Sequence, residues 1–263
     1  MGLLLAVVIW GLALVSVIVL KDGFGGMPPT LSDNARSIDA QFFLTLVITG
    51  ITFVLAQGIL GWFIFKYRGR QGRRAVYTHG NKTVEAGGAV VVGIVFVMLA
   101  FMGQRVWMQI HLHPSDANAL VVDVTGEQFA WNVRYPGPDG RFGRTLPKLY
   151  DPSSNPVGID PDDPAGKDDI VALNNVAVPV NRPVELALGS KDVLHSFFLP
   201  GLRIKQDTVP GMRIPLRFTA TQTGDFEVPC AELCGLGHYR MKGMLHVMEP
   251  AKFEAWLVEQ KGQ

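Results

Sequence analysis

The sequence predicts a membrane-anchored protein in which amino-terminal helices lead into an all-β exported domain. Three observations predict it. Before His111 the apolar residues are gathered into long runs, each near the length of a membrane span. From about Ala119 the pattern changes to short apolar or alternating stretches divided by Gly and Pro, as in a sandwich or barrel. Near the carboxyl end, two cysteines, a histidine and a methionine fall within the twelve residues Cys230–Met241. The 263-residue chain has a mean hydropathy of +0.22 and a net charge of +1, so it carries no global basic signature for nucleic acid.

Gly2 to Leu20 is apolar apart from Ser16 and is just long enough to cross the hydrocarbon core as a helix. A cleaved signal peptide is the alternative. Against it, no Lys or Arg precedes the run and no small-x-small cleavage site follows Leu20. Residues 21–40 form a polar periplasmic connector, punctuated by Gly23, Gly25, Gly26, Pro28 and Pro29.

Residues 41–110 read as a transmembrane hairpin. Phe42 to Phe65 is its first span, and Lys66 to Arg74 holds five basic residues among nine, which keeps this loop in the cytoplasm. Ala86 to Gly103 returns, with Arg105 and Trp107 placed for the outer interface. The exported domain, residues 119–263, is then periplasmic. Glu85, at the cytoplasmic foot of the second span, suits the positive end of a helix dipole, and an ionisable residue near membrane depth is also a functional candidate.

Strands are expected at Leu120–Thr125, Ile170–Leu173, Val184–Leu188, Ile214–Thr219 and Gly224–Val228, with a closing helix over Pro250–Glu259 that puts Phe253, Trp256 and Leu257 on one face. Tyr135 to Asp169 is a Pro-, Gly- and Asp-rich acidic insertion. It reads either as a solvated loop or as a docking surface for a basic electron donor.

Cys230 and Cys234 are the only cysteines. Thiolates with imidazole and thioether select copper before zinc or iron–sulfur clusters. A Cys-x3-Cys step does not match the usual zinc knuckle, and a mononuclear blue-copper site has one thiolate fewer. A disulfide between the two is the other reading for an exported chain. Two thiolates can instead bridge two ions, each needing its own imidazole. His238 offers one, and His195, in the strand-like run Leu194–Pro200, offers the second. Asp192 and Asp207 lie near these motifs as candidate acceptors for the imidazoles, or as turn residues.

These stretches, with Lys205–Gly211, closely resemble subunit II of the heme-copper cytochrome c oxidases. The pattern H…C-x-E-x-C-x3-H-x2-M of that family's dinuclear copper centre, CuA, is matched at every ligand position, and the resemblance covers the chain from about Gln41 to the end. The resemblance implies a cupredoxin-type Greek-key barrel. It implies that Cys230 and Cys234 bridge two coppers, that His195 and His238 bind one each, and that Met241 and the Glu232 carbonyl make weak axial contacts. It also implies a magnesium or manganese ion held by the Glu232 carboxylate at the border with subunit I, and a proton-uptake role for Glu85. Gly87 and Gly88 stand where the family usually has an aromatic residue soon after that glutamate.

By the same resemblance the partners are subunit I, with heme and CuB, subunit III, and a cytochrome c or a dedicated heme-bearing donor, such as a neighbouring membrane complex. The expected location is the bacterial inner membrane, with the copper domain on the periplasmic side. The family's Gly-x-Gln-Trp-Tyr-Trp cluster over the copper is here Gly126-Glu-Gln-Phe-Ala-Trp131. Phe129 thus occupies the electron-accepting position, and Trp131 is kept. The typical family member has two membrane helices, so the first apolar run is extra. No Cys-x-x-Cys-His is present for a fused c-type heme. Three rivals share parts of the pattern: a nitrous-oxide reductase, whose propeller finds no room here; a quinol-oxidase subunit, which lacks the metal ligands; and a membrane-anchored copper chaperone or assembly protein, which needs exchangeable ligands.

Overall fold

The computed structural model describes residues 1–23, 27–72, 74, 77, 79–112 and 116–261. Gly25 and Gly26 of the connector and Arg73 of the basic loop lie outside these. The chain divides into two compact units, one of membrane-length helices and one built mainly of strands.

Among the described residues, three helices are long and apolar enough to cross a membrane: α1 (Gly2–Gly23), α2 (Asp33–Lys66) and α3 (Lys82–His111). Most of their large apolar side chains are exposed in the isolated chain, the pattern of helices whose solvent is lipid. Small residues set the contact of α1 with α2. Ala6 and Ala13 are buried, the Trp10 indole N–H donates to the Gly58 carbonyl at 3.3 Å, and a Cβ on Gly61 would overlap that indole. Between α2 and α3, the Gln41 amide donates to the Leu99 carbonyl at 3.3 Å.

Helix α2 starts earlier than its apolar run, inside the stretch expected to be connector. Ser32 provides the cap, its hydroxyl accepting from the Ala35 N–H at 3.1 Å, and Asp33 sits in the first turn where the dipole favours an anion. The segment just before it belongs with the strands. Leu31 is 2 % exposed, donates its N–H to Gly201 and accepts from Thr221. Helix α3 is likewise longer than its apolar run, with Asn81 accepting from the N–H groups of Thr83 and Val84.

The strands are β1 (Leu120–Glu127), β2 (Ala130–Tyr135), β3 (Ile170–Leu173), β4 (Asn175–Pro179), β5 (Pro183–Ser190), β6 (His195–Leu199), β7 (Ile204–Thr208), β8 (Ile214–Thr219), β9 (Gly224–Pro229) and β10 (Lys242–Met248). One sheet runs β3-β2-β1-β5-β8, a second β4-β10-β9, and β6 and β7 form a hairpin. The pairs β1–β5 and β4–β10 are parallel, so the chain crosses over rather than meandering. This is the cupredoxin-like barrel that the resemblance implies.

Val122, Val124, Val133, Leu186, Leu188, Leu216, Val228 and Leu245 make the core, all fully buried. Their inward positions recur every second residue along β1 and β5, as a pleated strand requires. Helix α4 (Pro250–Lys261) closes one end, with Phe253 and Trp256 edge-on to Tyr135 at 6.2 and 5.5 Å between ring centroids. The Tyr135 hydroxyl is in turn bonded to the Ala177 backbone.

The acidic insertion buries the carboxylates of Asp160 and Asp169 and leaves Asp139, Asp151 and Asp162 exposed. Asp169 forms a buried ion pair with Arg134 and accepts from the Gly143 N–H. Asp160, 4 % exposed, pairs with Arg144. Asp163 accepts from the N–H groups of Arg144 and Ala165, and Asp151 from Ser153 and Ser154. These ion pairs and hydrogen bonds hold the loop.

Candidate metal centre

Two pieces of backbone bring the site together. The loop from β9 to β10 carries Cys230, Cys234, His238 and Met241, and antiparallel pairing of those strands brings its ends close. The Cys230 N–H donates to the Met241 carbonyl at 3.0 Å, so the first and last residues of the motif are neighbours. The Ala231 N–H donates to the Ser196 carbonyl at 2.9 Å, which fastens the loop to β6 beside His195. Gly235 has φ +130, a backbone shape that L side chains rarely adopt, and it lets the loop fold back over the sulfurs.

All the expected ligands converge. The two cysteine sulfurs lie 3.9 Å apart, His195 Nδ1 is 4.0 Å from Cys230 Sγ, and His238 Nδ1 is 3.6 Å from Cys234 Sγ. Met241 Sδ stands 3.8 Å from Cys234 Sγ, and the Glu232 carbonyl 3.3 Å from Cys230 Sγ. The ligand atoms of His195, Cys230 and Cys234 all lie within 4.8 Å of one another. Cys230, Cys234, Met241 and His195 are buried.

The disulfide reading does not hold. A disulfide needs its sulfurs about 2.0 Å apart, and both cysteines are free thiols. At 3.9 Å the sulfurs instead suit ions that bond thiolate at about 2.3 Å, because one ion can then reach both. An imidazole beside each sulfur and a thioether at the edge complete a soft donor set that fits copper.

Neighbouring groups prepare these ligands. His195 Nε2 lies 2.8 Å from Asp192 Oδ1, which leaves Nδ1 for the metal side. Burial works against a charged His195, but its bonds to Cys230 and Asp192 outweigh this and raise its pKa. Burial also opposes a Cys230 thiolate, yet hydrogen bonding with His195 and the Ser196 backbone pulls its pKa down. Cys234 moves up, through burial and then repulsion by Cys230. One thiol of the pair thus ionises readily, and a cation between them favours loss of the second proton.

Trp131 is fully buried, its ring centroid 6.0 Å from that of His195 and 5.2 Å from that of Phe197. Phe129 is half-buried and covers the ligand loop so closely that a Cβ on Gly237 would overlap its ring. Glu85 lies in the first turn of α3, with its carboxylate folded against Gly80. Asp207 pairs with Lys205 at 3.8 Å. Sequence reasoning missed Gln128. Its backbone N–H donates to Asp192 Oδ2 at 2.8 Å and its side-chain amide to the Cys234 carbonyl at 2.6 Å, tying both ligand segments to the β1–β2 turn. Its place in the Gly-x-Gln motif was the available signal.

Residues 120–248 match the family described as cytochrome c oxidase subunit II, periplasmic domain. An alternative cytochrome c oxidase subunit 2 of Bradyrhizobium diazoefficiens is 37% identical over 232 residues, covering 88% of this chain and 83% of the relative. A cytochrome c oxidase subunit 2 of Thermostichus vulcanus is 28% identical over 254 residues, covering 88% and 77%. Among solved structures, the periplasmic domain of subunit II of cytochrome oxidase of Bradyrhizobium japonicum is 28% identical, covering 57% of this chain and 98% of that one, with a TM-score of 0.42. The chain, with its membrane-length helices, its β domain and this gathered Cys/His site, belongs to the cytochrome c oxidase subunit II family.

Proposed function

We propose that this membrane-anchored subunit would hold two copper ions through His195, Cys230, the Glu232 carbonyl, Cys234, His238 and Met241. It would take electrons from a c-type heme donor outside the bacterial inner membrane and hand them to heme in subunit I, where oxygen reduction is coupled to proton pumping. The observation that carries this reading is the pair of buried sulfurs 3.9 Å apart, each with its own imidazole. When bound, copper supplies one-electron chemistry, accepting and releasing single electrons.

The chain's own residues do the rest. Asp192 fixes the ring orientation of His195, Gln128 joins the two ligand segments, and Trp131 fills the space behind His195 against water. Burial of the ligands supports a permanent centre over a chaperone, whose ligands must be open to exchange. Glu232 is half-buried, and its carboxylate suits a magnesium or manganese ion at the subunit I border, with the remaining ligands supplied from outside this chain. Subunit III completes the assembly in this reading.

The test is electron paramagnetic resonance of the detergent-solubilised full chain after copper loading. One unpaired electron shared equally by two copper nuclei is expected, with two coppers per chain. Cys230→Ser or Cys234→Ser should abolish that signal, because oxygen is a poor soft-metal bridge. Met241→Leu should retain both ions at a shifted potential. A single-nucleus pattern with one copper per chain in the wild type would overturn the reading.

A further inference from the structure

The insertion reaches the metal centre through Tyr150. Its hydroxyl donates to Glu127 Oε2 at the end of β1. Lys191, the residue before Asp192, donates to the same Glu127 oxygen at 2.7 Å and to the Tyr150 hydroxyl, with its ammonium 3.6 Å from the centre of the Tyr150 ring. Asn132 closes the fourth side, donating to Glu127 Oε1 at 2.8 Å. The Glu127 and Lys191 side chains are only 18% and 16% exposed, so solvent screens them weakly.

This cluster is spliced into the support of His195. The Lys191 N–H donates to the Gly126 carbonyl at 3.0 Å, and the Gln128 N–H to Asp192 at 2.8 Å, so Gly126–Gln128 and Lys191–Asp192 are laced together on both sides of the pair. Asp192 then holds His195. A displacement of Lys191 therefore reaches the imidazole through a single intervening residue, and an unbalanced charge at the weakly solvated Glu127–Lys191 pair acts on the centre through space.

We infer that Tyr150, Glu127 and Lys191 are positioning residues for the copper centre, a clamp by which the insertion fixes the Asp192–His195 segment and keeps the nearby charge neutral. The inference rests on the dinuclear copper reading. Its signature is a sign. Loss of the Lys191 charge leaves Glu127 uncompensated and favours the more positive, oxidised centre. Loss of the Glu127 charge leaves the ammonium uncompensated and favours the reduced one.

The experiment is a spectroelectrochemical titration of the copper-loaded full chain at fixed pH and ionic strength. Lys191→Gln should lower the midpoint potential, Glu127→Gln should raise it, and the double variant should return close to the wild type. Tyr150→Phe removes one oxygen atom and keeps the ring, so it serves even if the charge variants fold poorly. It should speed copper loss to a chelator several-fold and alter the copper hyperfine splitting, with the thermal unfolding of the apo chain little changed. Shifts of one sign in both charge variants would overturn the inference, as would an unchanged Tyr150→Phe hyperfine splitting and chelator rate. A wild-type chain that takes up no copper overturns the copper reading itself and the inference with it, which separates the two failures.

Discussion

His195 Nε2 lies 2.8 Å from Asp192 Oδ1, while Nδ1 of the same ring faces the Cys230 sulfur at 4.0 Å. The carboxylate therefore chooses the nitrogen left for the metal. Asp192 is itself held by the N–H groups of Gln128 and Val193, and these bonds, together with His195, outweigh burial and lower its pKa.

Asp192→Ala should thus weaken copper binding with every ligand intact. Loss of such an outer partner typically costs about 10- to 100-fold in metal affinity. Competition with a chelator of known affinity measures it. Binding equal to wild type would make Asp192 a turn residue only.

The first helix should be part of the mature protein. Trp10 of α1 sits against the bare backbone of Gly58 and Gly61, a fit that a passing signal sequence has no need of. The intact mass of the purified chain should include Met1 to Leu20, and a mature amino terminus near Lys21 would show cleavage. Gly61→Leu forces a side chain into the indole, an overpacking that costs on the order of 1–3 kcal/mol, and should reduce the amount of assembled oxidase.

Glu85→Gln should slow turnover of the assembled oxidase and leave copper content and the first rapid electron transfer unchanged. The carboxylate lies at the exposed start of α3, near Gly80, where it also favours the helix dipole. An unaltered steady-state rate would confine Glu85 to that helix-start role.

The parts of the fold that were legible had simple patterns. Ile170–Leu173 and Ile214–Thr219 were read to the residue. The missed strands lack a two-residue rhythm for physical reasons. Ala130–Tyr135 is buried on successive residues, since Arg134 is covered by the insertion while Val133 faces the core. Asn175–Pro179 is similarly buried on successive residues from Val176 on, and Ile204–Thr208 is a polar strand with one partner. At the metal centre the ligand types were visible because thiolate and imidazole chemistry is restrictive. Gln128, Glu127, Lys191 and Tyr150 were not linked to it, because ordinary polar residues acquire that role only when the fold joins β1, the insertion and the segment before His195.

Phe129 is where electrons from a soluble donor would first meet the chain, and its surroundings argue for an unusual donor. The ring lies on Gly235 and Gly237 of the ligand loop, directly over the cysteine-bearing segment, whereas Trp131 is buried behind His195 and presents no surface. Phe at this position removes the indole N–H and shrinks the contact patch, and Ala130 beside it removes a second aromatic face. Two carboxylates of the acidic insertion, Asp160 and Asp169, are taken up in ion pairs with Arg144 and Arg134, which thins the charge it can offer a donor. A generic mitochondrial-type cytochrome c, which docks by complementary charge, should therefore be a poor donor, and a dedicated heme partner should be a good one. Phe129→Trp alone should not rescue the mitochondrial-type donor, since the neighbouring Ala130 remains. Steady-state turnover of the assembled oxidase across a range of salt concentrations decides the matter. Fast, salt-sensitive turnover with that cytochrome, lost in Phe129→Ala, would show that docking follows the ordinary family route despite both substitutions.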